Sequence, residues 1–207
     1  MDFNKALWQD FSQKHGLTDH QLQQFQQYYT LLKSWSEDIN LTTITDEADV
    51  LAYHFEDSLN LAQCCDVSSA QGIADIGTGA GFPGIPLKIK FPHIPIVLVE
   101  VVQKKVTFLN EVIKELKLDG IEVCSLDWRT FLRQTEYPVS LVCARASLRP
   151  DELIRMFQAS SPYKDATLVY WASHDWKLEP KEAPFFVREE KYIVGDRKRK
   201  YMFLKNQ

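Results

Sequence analysis

The chain has 207 residues, of which 45% are hydrophobic and 25% are charged. This composition indicates one large domain, or one domain with an appendage, and it excludes a disordered or fibrous protein. The sequence has no apolar run near the roughly 20 residues of a membrane-spanning helix, and its first residues lack the basic and apolar regions of a signal peptide. We therefore expect a cytoplasmic protein that does not enter a membrane.

The formal net charge is −4, but the charges are unevenly distributed. Residues 1–100 carry 5 Lys and Arg against 13 Asp and Glu, whereas residues 101–207 carry 19 against 15. A basic half in an acidic chain hints at a polyanionic partner, because long-range attraction to phosphate depends on the local field.

The four cysteines show no spacing that is typical of metal ligands. Cys64, Cys65, Cys124 and Cys143 form no C-x-x-C pair and no Cys/His cluster. We expect reduced thiols and no metal site.

The first 65 residues are predicted to be helical. Apolar residues recur at steps of three and four, which gives one stripe along a helix: Leu22, Phe25, Tyr29, Leu32, Trp35 and Ile39. A second helix is predicted from Glu47 to Ala62. Residues 1–65 would form a helical extension packed on a core domain of residues 66–207.

From Gly72 onward, strands alternate with helices, the best marked of which covers Lys104–Leu116. The predicted strands are Ile73–Ile76, Ile94–Val99, Ile121–Cys124, Val139–Cys143 and Ala166–Trp171. This alternation favours a parallel sheet covered by helices on both faces. Two further strands, Phe185–Val194 and Lys200–Leu204, flank the turn Gly195-Asp196 and predict a hairpin.

The predicted fold is therefore α/β, with a mostly parallel seven-stranded sheet closed by a terminal antiparallel hairpin. That is the Rossmann-like architecture of class I methyltransferases. A complete dinucleotide-binding fold would need a second βαβαβ half, for which too little chain remains.

The loop after the first strand is the most informative segment, and it has two competing interpretations. Gly79-x-Gly81-x-x-Gly84 satisfies the dinucleotide fingerprint, which alone is a weak signal. Asp75-x-Gly77-x-Gly79-x-Gly81 satisfies the first motif of S-adenosylmethionine-dependent methyltransferases. A carboxylate at the mouth of the loop would repel a pyrophosphate but tolerate the cationic methyl donor, so Asp75 favours the second interpretation. A glycine-rich turn without a ligand is the third possibility.

Three side chains follow the next strands, where ligands bind in open α/β sheets. Glu100 could accept the ribose hydroxyls of an adenosine, or it could only pair with Lys104. Trp128 could stack on the adenine or serve packing alone. Arg145 could grip a phosphate or the donor's carboxylate, or form a salt bridge at the end of a strand.

Two other groups of polar residues have open roles. The basic run Arg197-Lys198-Arg199-Lys200, with Arg149, Lys104 and Lys105, could supply a basic rim or a solvated turn. His54, Asp57 and Ser58 on the second predicted helix would be a capping or core-edge cluster.

Several of these strings together resemble one bacterial family. They are Asn40-Leu41-Thr42, His54-Phe55-Glu56-Asp57-Ser58-Leu59, the loop from Asp75 to Pro86, and Ala144-Arg145-Ala146. They are similar to the RsmG (glucose-inhibited division protein B) family, whose members are class I enzymes that methylate N7 of one guanosine in 16S ribosomal RNA.

The resemblance implies S-adenosylmethionine as the methyl donor and 16S rRNA or the small ribosomal subunit as the partner. The implied donor-binding residues are Gly77, Phe82, Trp128, Arg129 and Arg145, with Glu100 at the ribose and Asp75 and Gly79 in the loop. A lysine that the family shows after the fifth strand is missing, and Lys177 is a candidate replacement. We expect a monomer.

No catalytic residue in the proton-transfer sense is predicted, because guanine N7 has a free lone pair at neutral pH and the enzyme's task is positioning. Two other functions remain open at this point. One is an NAD-dependent oxidoreductase that uses Gly79, Gly81 and Gly84, and the other is a non-catalytic RNA-binding module.

Overall fold

A seven-stranded sheet forms the centre of the computed structural model, which describes residues 3–145 and 148–206. The strands are β1 (Ile73–Ile76), β2 (Ile96–Val99), β3 (Ile121–Cys124), β4 (Leu141–Arg145), β5 (Thr167–Ser173), β6 (Phe186–Val194) and β7 (Arg197–Leu204). Their order is β3-β2-β1-β4-β5-β7-β6. The strands β1 to β5 are parallel, and β7 runs antiparallel to both β5 and β6. The predicted α/β fold with a terminal antiparallel hairpin is confirmed.

Helices surround this sheet. They are α1 (Lys5–His15), α2 (Asp19–Ile39), α3 (Glu47–Val50), α4 (Asp57–Leu59), α5 (Leu61–Cys64), α6 (Gly84–Lys90), α7 (Gln103–Glu115), α8 (Trp128–Gln134) and α9 (Pro150–Leu153). A π-helix, Leu51–Glu56, joins α3 to α4, and short 3₁₀ turns cover Val67–Ser69, Ile154–Phe157 and Ala183–Phe185. The single helix predicted from Glu47 to Ala62 is thus interrupted by a wider turn.

Each face of the sheet packs into its own apolar cluster. Ile73 of β1 and Leu98 of β2 point to one face, where they meet Phe25 of α2 and Phe108 of α7. The alternate strand residues point to the other face, where α8 and α9 cover them. Because successive side chains of a strand point to opposite faces, both faces of a central strand must be apolar. The extension therefore shares a core with the sheet, while a domain boundary at residue 65 stays a prediction.

The second strand of the hairpin begins three residues earlier than predicted, at Arg197 and not at Lys200. Strand β7 starts at Arg197, so the basic run lies in a strand and not in a solvated turn. Strand β4 likewise extends to Arg145, which ends the strand where we expected it to follow. These bounds differ because backbone pairing with a neighbouring strand, and not side-chain polarity, decides where a strand stops.

None of the helices in the described part of the chain is long and apolar enough to cross a membrane.

Candidate functional site

A cleft of about 530 Å³ opens at the carboxyl ends of the parallel strands. Gly77 follows β1, Glu100 follows β2, Trp128 follows β3 and Arg145 ends β4, and all four line it. The cleft therefore lies at the edge where open α/β sheets bind their ligands, around the point at which the strand order reverses between β1 and β4. Its size is within the usual range for small-molecule sites.

The glycine loop forms one wall of this cleft. Gly77, Gly79 and Gly81 have φ angles of 67°, 63° and 100°, which residues other than glycine rarely adopt. A Cβ on Gly79 would lie 4.0 Å from the carbonyl oxygen of Gly77, its nearest neighbour, so this glycine borders open space. A Cβ on Gly81 would instead meet Ile85 at 2.5 Å and the hydroxyl of Tyr28 at 2.7 Å. The backbone of the loop is therefore accessible from the cleft at Gly79, while at Gly81 the loop packs closely against Ile85 and Tyr28.

Asp75 does not lie at the mouth of the loop, so that part of the sequence argument is wrong. The side chain is fully buried, and its Oδ2 accepts hydrogen bonds from Thr78 Oγ1 at 2.6 Å and from the amide of Gly84 at 2.7 Å. The carboxylate ties the two ends of the loop together from beneath. Burial raises the pKa of Asp75 to about 6, although both hydrogen bonds and Arg145 oppose the shift.

The second oxygen of the same carboxyl group has no hydrogen-bond partner among the described residues. An unpartnered buried acceptor is costly, so it marks a place where a cation or a donor would be stabilised. Tyr28 lies nearby, but its hydroxyl donates to the carbonyl of Ala80 at 2.5 Å.

Glu100 lies at the end of β2 and contacts the loop directly. Its Oε2 accepts from the amide of Gly79 at 3.1 Å, and its Oε1 accepts from the amides of Val101 and Val102, both at 2.9 Å. Within the described chain no ion pair joins Glu100 to Lys104, which removes the simpler of the two interpretations of this residue. The side chain is held at the end of β2. Oε1 uses both of its lone pairs on the amides of Val101 and Val102, whereas Oε2 keeps one lone pair for a ligand hydroxyl.

Trp128 and Arg129 begin helix α8 but take different positions. Trp128 lines the cleft, whereas Arg129 does not. The guanidinium of Arg129 lies 4.4 Å from the centre of the Trp128 ring and pairs with Glu152 at 2.9 Å. Its side chain is therefore not available to the cleft in this conformation, and a contact of Arg129 with a donor would have to use its backbone.

Arg145 is fixed by the helical extension. Its Nη1 lies 3.1 Å from Asp57 Oδ2, and its Nη2 donates to His54 Nδ1 at 2.8 Å and to the carbonyl of Tyr53 at 3.1 Å. The side chain is 10% exposed, and the guanidinium lies 5.4 Å from the centre of the Phe82 ring. The predicted salt bridge at the end of the strand is present and buried, and the residue also borders the cleft, so a contact with a ligand stays a prediction. The next residue of the family string, Ala146, lies outside the described residues.

The π-helix explains why Arg145 finds these acceptors. In a π-helix the backbone hydrogen bonds shift to i+5, and such turns often occur at functional sites. The carbonyls of Tyr53 and His54 lie in this turn, and both accept from Arg145. The irregular turn thus presents backbone oxygens to an arginine of the sheet.

His54 links Arg145 to the loop and to the extension. Its ring stacks on Phe82 with 4.4 Å between centres and 12° between planes. Burial, followed by the charge of Arg145, lowers the pKa of His54 to about 3, so the ring is neutral at physiological pH. Nδ1 then accepts from Arg145, and Nε2 carries the proton that it donates to Thr42 Oγ1 at 2.9 Å.

Asp57 is the residue whose importance the sequence did not reveal. Its fully buried carboxylate contacts Arg145 at 3.1 Å, Arg199 at 3.5 Å and the hydroxyl of Tyr192 at 2.6 Å. The partners come from β4, β7 and β6, so the predicted core-edge cluster is a junction between the extension and the sheet. In the sequence, Asp57 stood out only as part of the string that it shares with His54. That string does not show which distant residues Asp57 contacts, so its role could not be predicted.

The basic run of β7 is largely committed to internal contacts. Arg199 pairs with Asp57, Lys200 pairs with Glu189 at 3.0 Å, and Arg197 stacks on the Tyr53 ring at 3.8 Å. Lys198 alone of the four is exposed without a partner in the described part of the chain. The run therefore supplies much less of a basic rim than its sequence suggested.

Among the described residues, no group of His, Cys, Asp or Glu side chains is arranged to hold a metal ion.

The strand order and the glycine cleft together define the class I methyltransferase fold. A variant of MtNAS solved with S-adenosylmethionine has a similar fold, with a TM-score of 0.59 and 16% identity over 86% of this chain and 73% of that one. TrmN from Thermus thermophilus gives a TM-score of 0.54 and 15% identity over 76% of this chain and 53% of that one. At these identities the likeness shows the fold alone.

Sequence comparison identifies the family. Residues 21–205 match the family model described as rRNA small subunit methyltransferase G, and the chain belongs to that family. A relative named ribosomal RNA small subunit methyltransferase G from Bacillus thuringiensis is 38% identical over 150 residues, which cover 70% of this chain and 63% of the relative. One of the same name from Geobacillus is 44% identical over 136 residues, or 65% of this chain and 57% of the relative. The matches thus span less than two thirds of these relatives' length.

Proposed function

We propose that the chain transfers a methyl group from S-adenosylmethionine to N7 of one guanosine in 16S ribosomal RNA. The observation that carries the proposal is the cleft between Gly79, Glu100 and Arg145 at the carboxyl ends of the strands, in a chain that belongs to this family. We expect the protein to act as a monomer in the cytoplasm, where its substrate lies.

The donor set of the cleft suits the methyl donor. Glu100 offers its Oε2 to a ribose hydroxyl, and the loop from Gly77 to Gly79 offers backbone without a Cβ in the way. Trp128 offers a ring for the adenine, and Arg145 offers positive charge for a carboxylate. The buried carboxylate of Asp75, one oxygen of which has no partner among the described residues, lies beneath the loop and would add negative charge near a cationic ligand.

The residues of the cleft have a positioning task. Bound S-adenosylmethionine would supply an electrophilic methyl group to the N7 lone pair of guanine, so no proton has to be removed. Glu100, held by three backbone amides, and Phe82, held by stacking on His54, form fixed walls for an in-line arrangement. Fixed orientation of two reactants can lower a barrier by about 7–11 kcal/mol.

The test is transfer of a labelled methyl group to small ribosomal subunits and to naked 16S rRNA, followed by mapping of 7-methylguanosine. Incorporation at a single guanosine is expected. Transfer to a small molecule, with none to RNA, would overturn the substrate and leave the methyl transfer standing.

Ligand-induced thermal shifts separate this proposal from the other two functions. S-adenosylhomocysteine at 100 times its Kd should add about 2.7 kcal/mol of apparent stability. A shift with NAD instead would favour the oxidoreductase, and no shift with either would favour a non-catalytic RNA-binding module.

A further inference from the structure

A second groove lies next to the cleft and is lined in part by helix α8. It encloses about 440 Å³, and its lining includes Arg129, Arg133, Arg155, Gln158, Ser160 and Ser161. We call it the arginine groove. Trp128 lines both the cleft and this groove, so the two share one wall.

The arginine groove is positively charged. Among its described lining residues there are three guanidinium groups and no carboxylate. Arg129 is paired with Glu152 at its edge, which leaves the charges of Arg133 and Arg155 unbalanced. The whole chain has a net charge of −4, so the positive charge of the groove is a local property of this surface.

The two unbalanced arginines lie at the surface, and their terminal guanidinium nitrogens have no partner among the described residues. The Nε of Arg133 donates to the carbonyl of Arg129 at 3.0 Å, which orients the guanidinium and leaves both terminal nitrogens without a partner in the described chain. Arg155 is exposed and makes no side-chain hydrogen bond or ion pair with a described residue. Arginine is the side chain best suited to two parallel hydrogen bonds with phosphate oxygens.

The remaining polar groups of the groove are neutral. Gln158 and Ser160 are exposed, and the hydroxyl of Ser161 accepts from the amide of Tyr163 at 3.2 Å and from no other described residue. Amide and hydroxyl groups can bond to phosphate oxygens and to a 2′-hydroxyl. The combination of free guanidinium groups with neutral donors, without nearby apolar anchors other than Trp128 and Leu132, is typical of a surface that follows a nucleic-acid backbone.

We propose that the arginine groove binds the phosphodiester backbone of the single-stranded RNA that flanks the base in the cleft. The proposal rests on the proposed function, since it places a base in the cleft. N7 of guanine faces the deep and narrow major groove of an A-form helix, which side chains cannot enter, so the target base has to be unpaired. Because Trp128 borders both spaces, the strand leaves the cleft next to the groove.

The experiment compares two double variants of the full chain. Arg133→Gln with Arg155→Gln removes the two unbalanced charges and leaves the pair between Arg129 and Glu152 intact. Lys5→Gln with Lys117→Gln removes the same charge from exposed positions on α1 and after α7. Affinity for a short single-stranded RNA is measured from low to high salt, and affinity for S-adenosylhomocysteine is measured by calorimetry.

Each neutralised phosphate contributes about 0.7 to the slope of log affinity against log salt for single strands. We expect the slope of the groove variant to be shallower than that of the wild type by about 1.4, and the slope of the control variant to equal that of the wild type. All three proteins should have the same affinity for S-adenosylhomocysteine. An oligonucleotide with uncharged methylphosphonate links should bind the wild type and the groove variant equally.

Equal slopes for the groove variant and the wild type would overturn the proposal. The proposal would also be overturned if the groove variant lost as much affinity for the methylphosphonate oligonucleotide as for RNA. The groove would then contact bases, or the substitutions would act by changing the fold. Inorganic phosphate can be added as a competitor of the bound RNA. If it displaces the RNA as well as unlabelled RNA does at the same concentration of phosphate groups, the groove binds a free anion and the proposal is also overturned. Failure of the wild type to bind S-adenosylhomocysteine would count against the proposed function, while the slopes would still test the groove.

Discussion

The guanidinium of Arg145 and the imidazole of His54 are joined by a hydrogen bond of 2.8 Å between Nη2 and Nδ1. One residue ends a central strand and the other lies in the π-helix of the extension. This bond requires a neutral His54, and the low pKa of that residue provides it. A wall of the cleft is thereby built from two parts of the chain that are 91 residues apart.

The first prediction concerns the stability that Arg145 provides. Arg145→Gln should lower the free energy of unfolding by about 3 kcal/mol, because it removes the closer cation from the fully buried carboxylate of Asp57 and leaves Arg199, at 3.5 Å, to balance the charge. Arg199→Gln is the matched control, since Arg199 contacts the same oxygen of Asp57 at 3.5 Å and its side chain is 24% exposed. We expect a loss below about 1 kcal/mol for the control. Urea unfolding measures both, and equal losses would contradict the structure.

The second prediction compares two glycines of the loop. Gly81→Ala places a Cβ 2.5 Å from Ile85 and 2.7 Å from Tyr28, whereas Gly79→Ala meets only open space. The positive φ of 63° costs Gly79→Ala about 1–2 kcal/mol, and the φ of 100° at Gly81 lies outside the left-handed helical region and is less favourable still for alanine. Gly81→Ala should therefore lower the melting temperature clearly more than Gly79→Ala. Similar melting temperatures would show that the packing behind the loop yields easily.

The third prediction concerns Glu100 and the methyl donor. In Glu100→Gln, the side-chain amide brings two donors to a place where three backbone amides already donate, and the charge is lost. We expect the Kd of S-adenosylhomocysteine to rise at least tenfold, since hydrogen bonds to a charged group are about twice as strong as neutral ones. Calorimetry provides the measurement, with Glu37→Gln, at an exposed position of α2, as a control outside the cleft. An unchanged Kd would remove Glu100 from the proposed ribose site.

The fourth prediction is a pH dependence that arises from Asp75. Its pKa is about 6 in the folded chain and 3.8 without burial, so the folded state holds the proton more tightly. The resulting stabilisation is complete below about pH 4 and disappears as the pH rises through 6, a change of about 3 kcal/mol. His54 contributes in the opposite sense, because its lowered pKa destabilises the fold in acid.

The comparison with Asp75→Asn isolates the contribution of Asp75, because all other groups titrate in both proteins. Unfolding by urea at pH 4.5 and pH 7 should show that the variant gains stability relative to the wild type as the pH rises. Parallel pH profiles for the two proteins would mean that Asp75 is ionised throughout.

Local patterns in the sequence predicted most of the fold. The strand Ile73–Ile76, the glycine loop after it and the closing hairpin could be read from apolar runs, glycine spacing and one turn. The order of the strands was not predicted from the sequence and is a finding of the structure. The ends of β4 and β7 were missed, because a strand continues as long as its neighbour offers backbone partners, and the neighbour is distant in sequence.

The sequence by itself determined the α/β fold, the glycine loop and the positions of Glu100, Trp128 and Arg145 at the ends of strands. These features depend on residue type and spacing over a few residues, where backbone sterics and hydrophobic periodicity act. Only the tertiary structure decided that Asp75 lies beneath the loop, that Arg129 turns away from the cleft, and that Asp57 draws Arg145 and Arg199 together. Those outcomes depend on burial and on charges that meet across more than 80 positions of chain, and the energy of a buried charge is set by neighbours that local sequence does not specify.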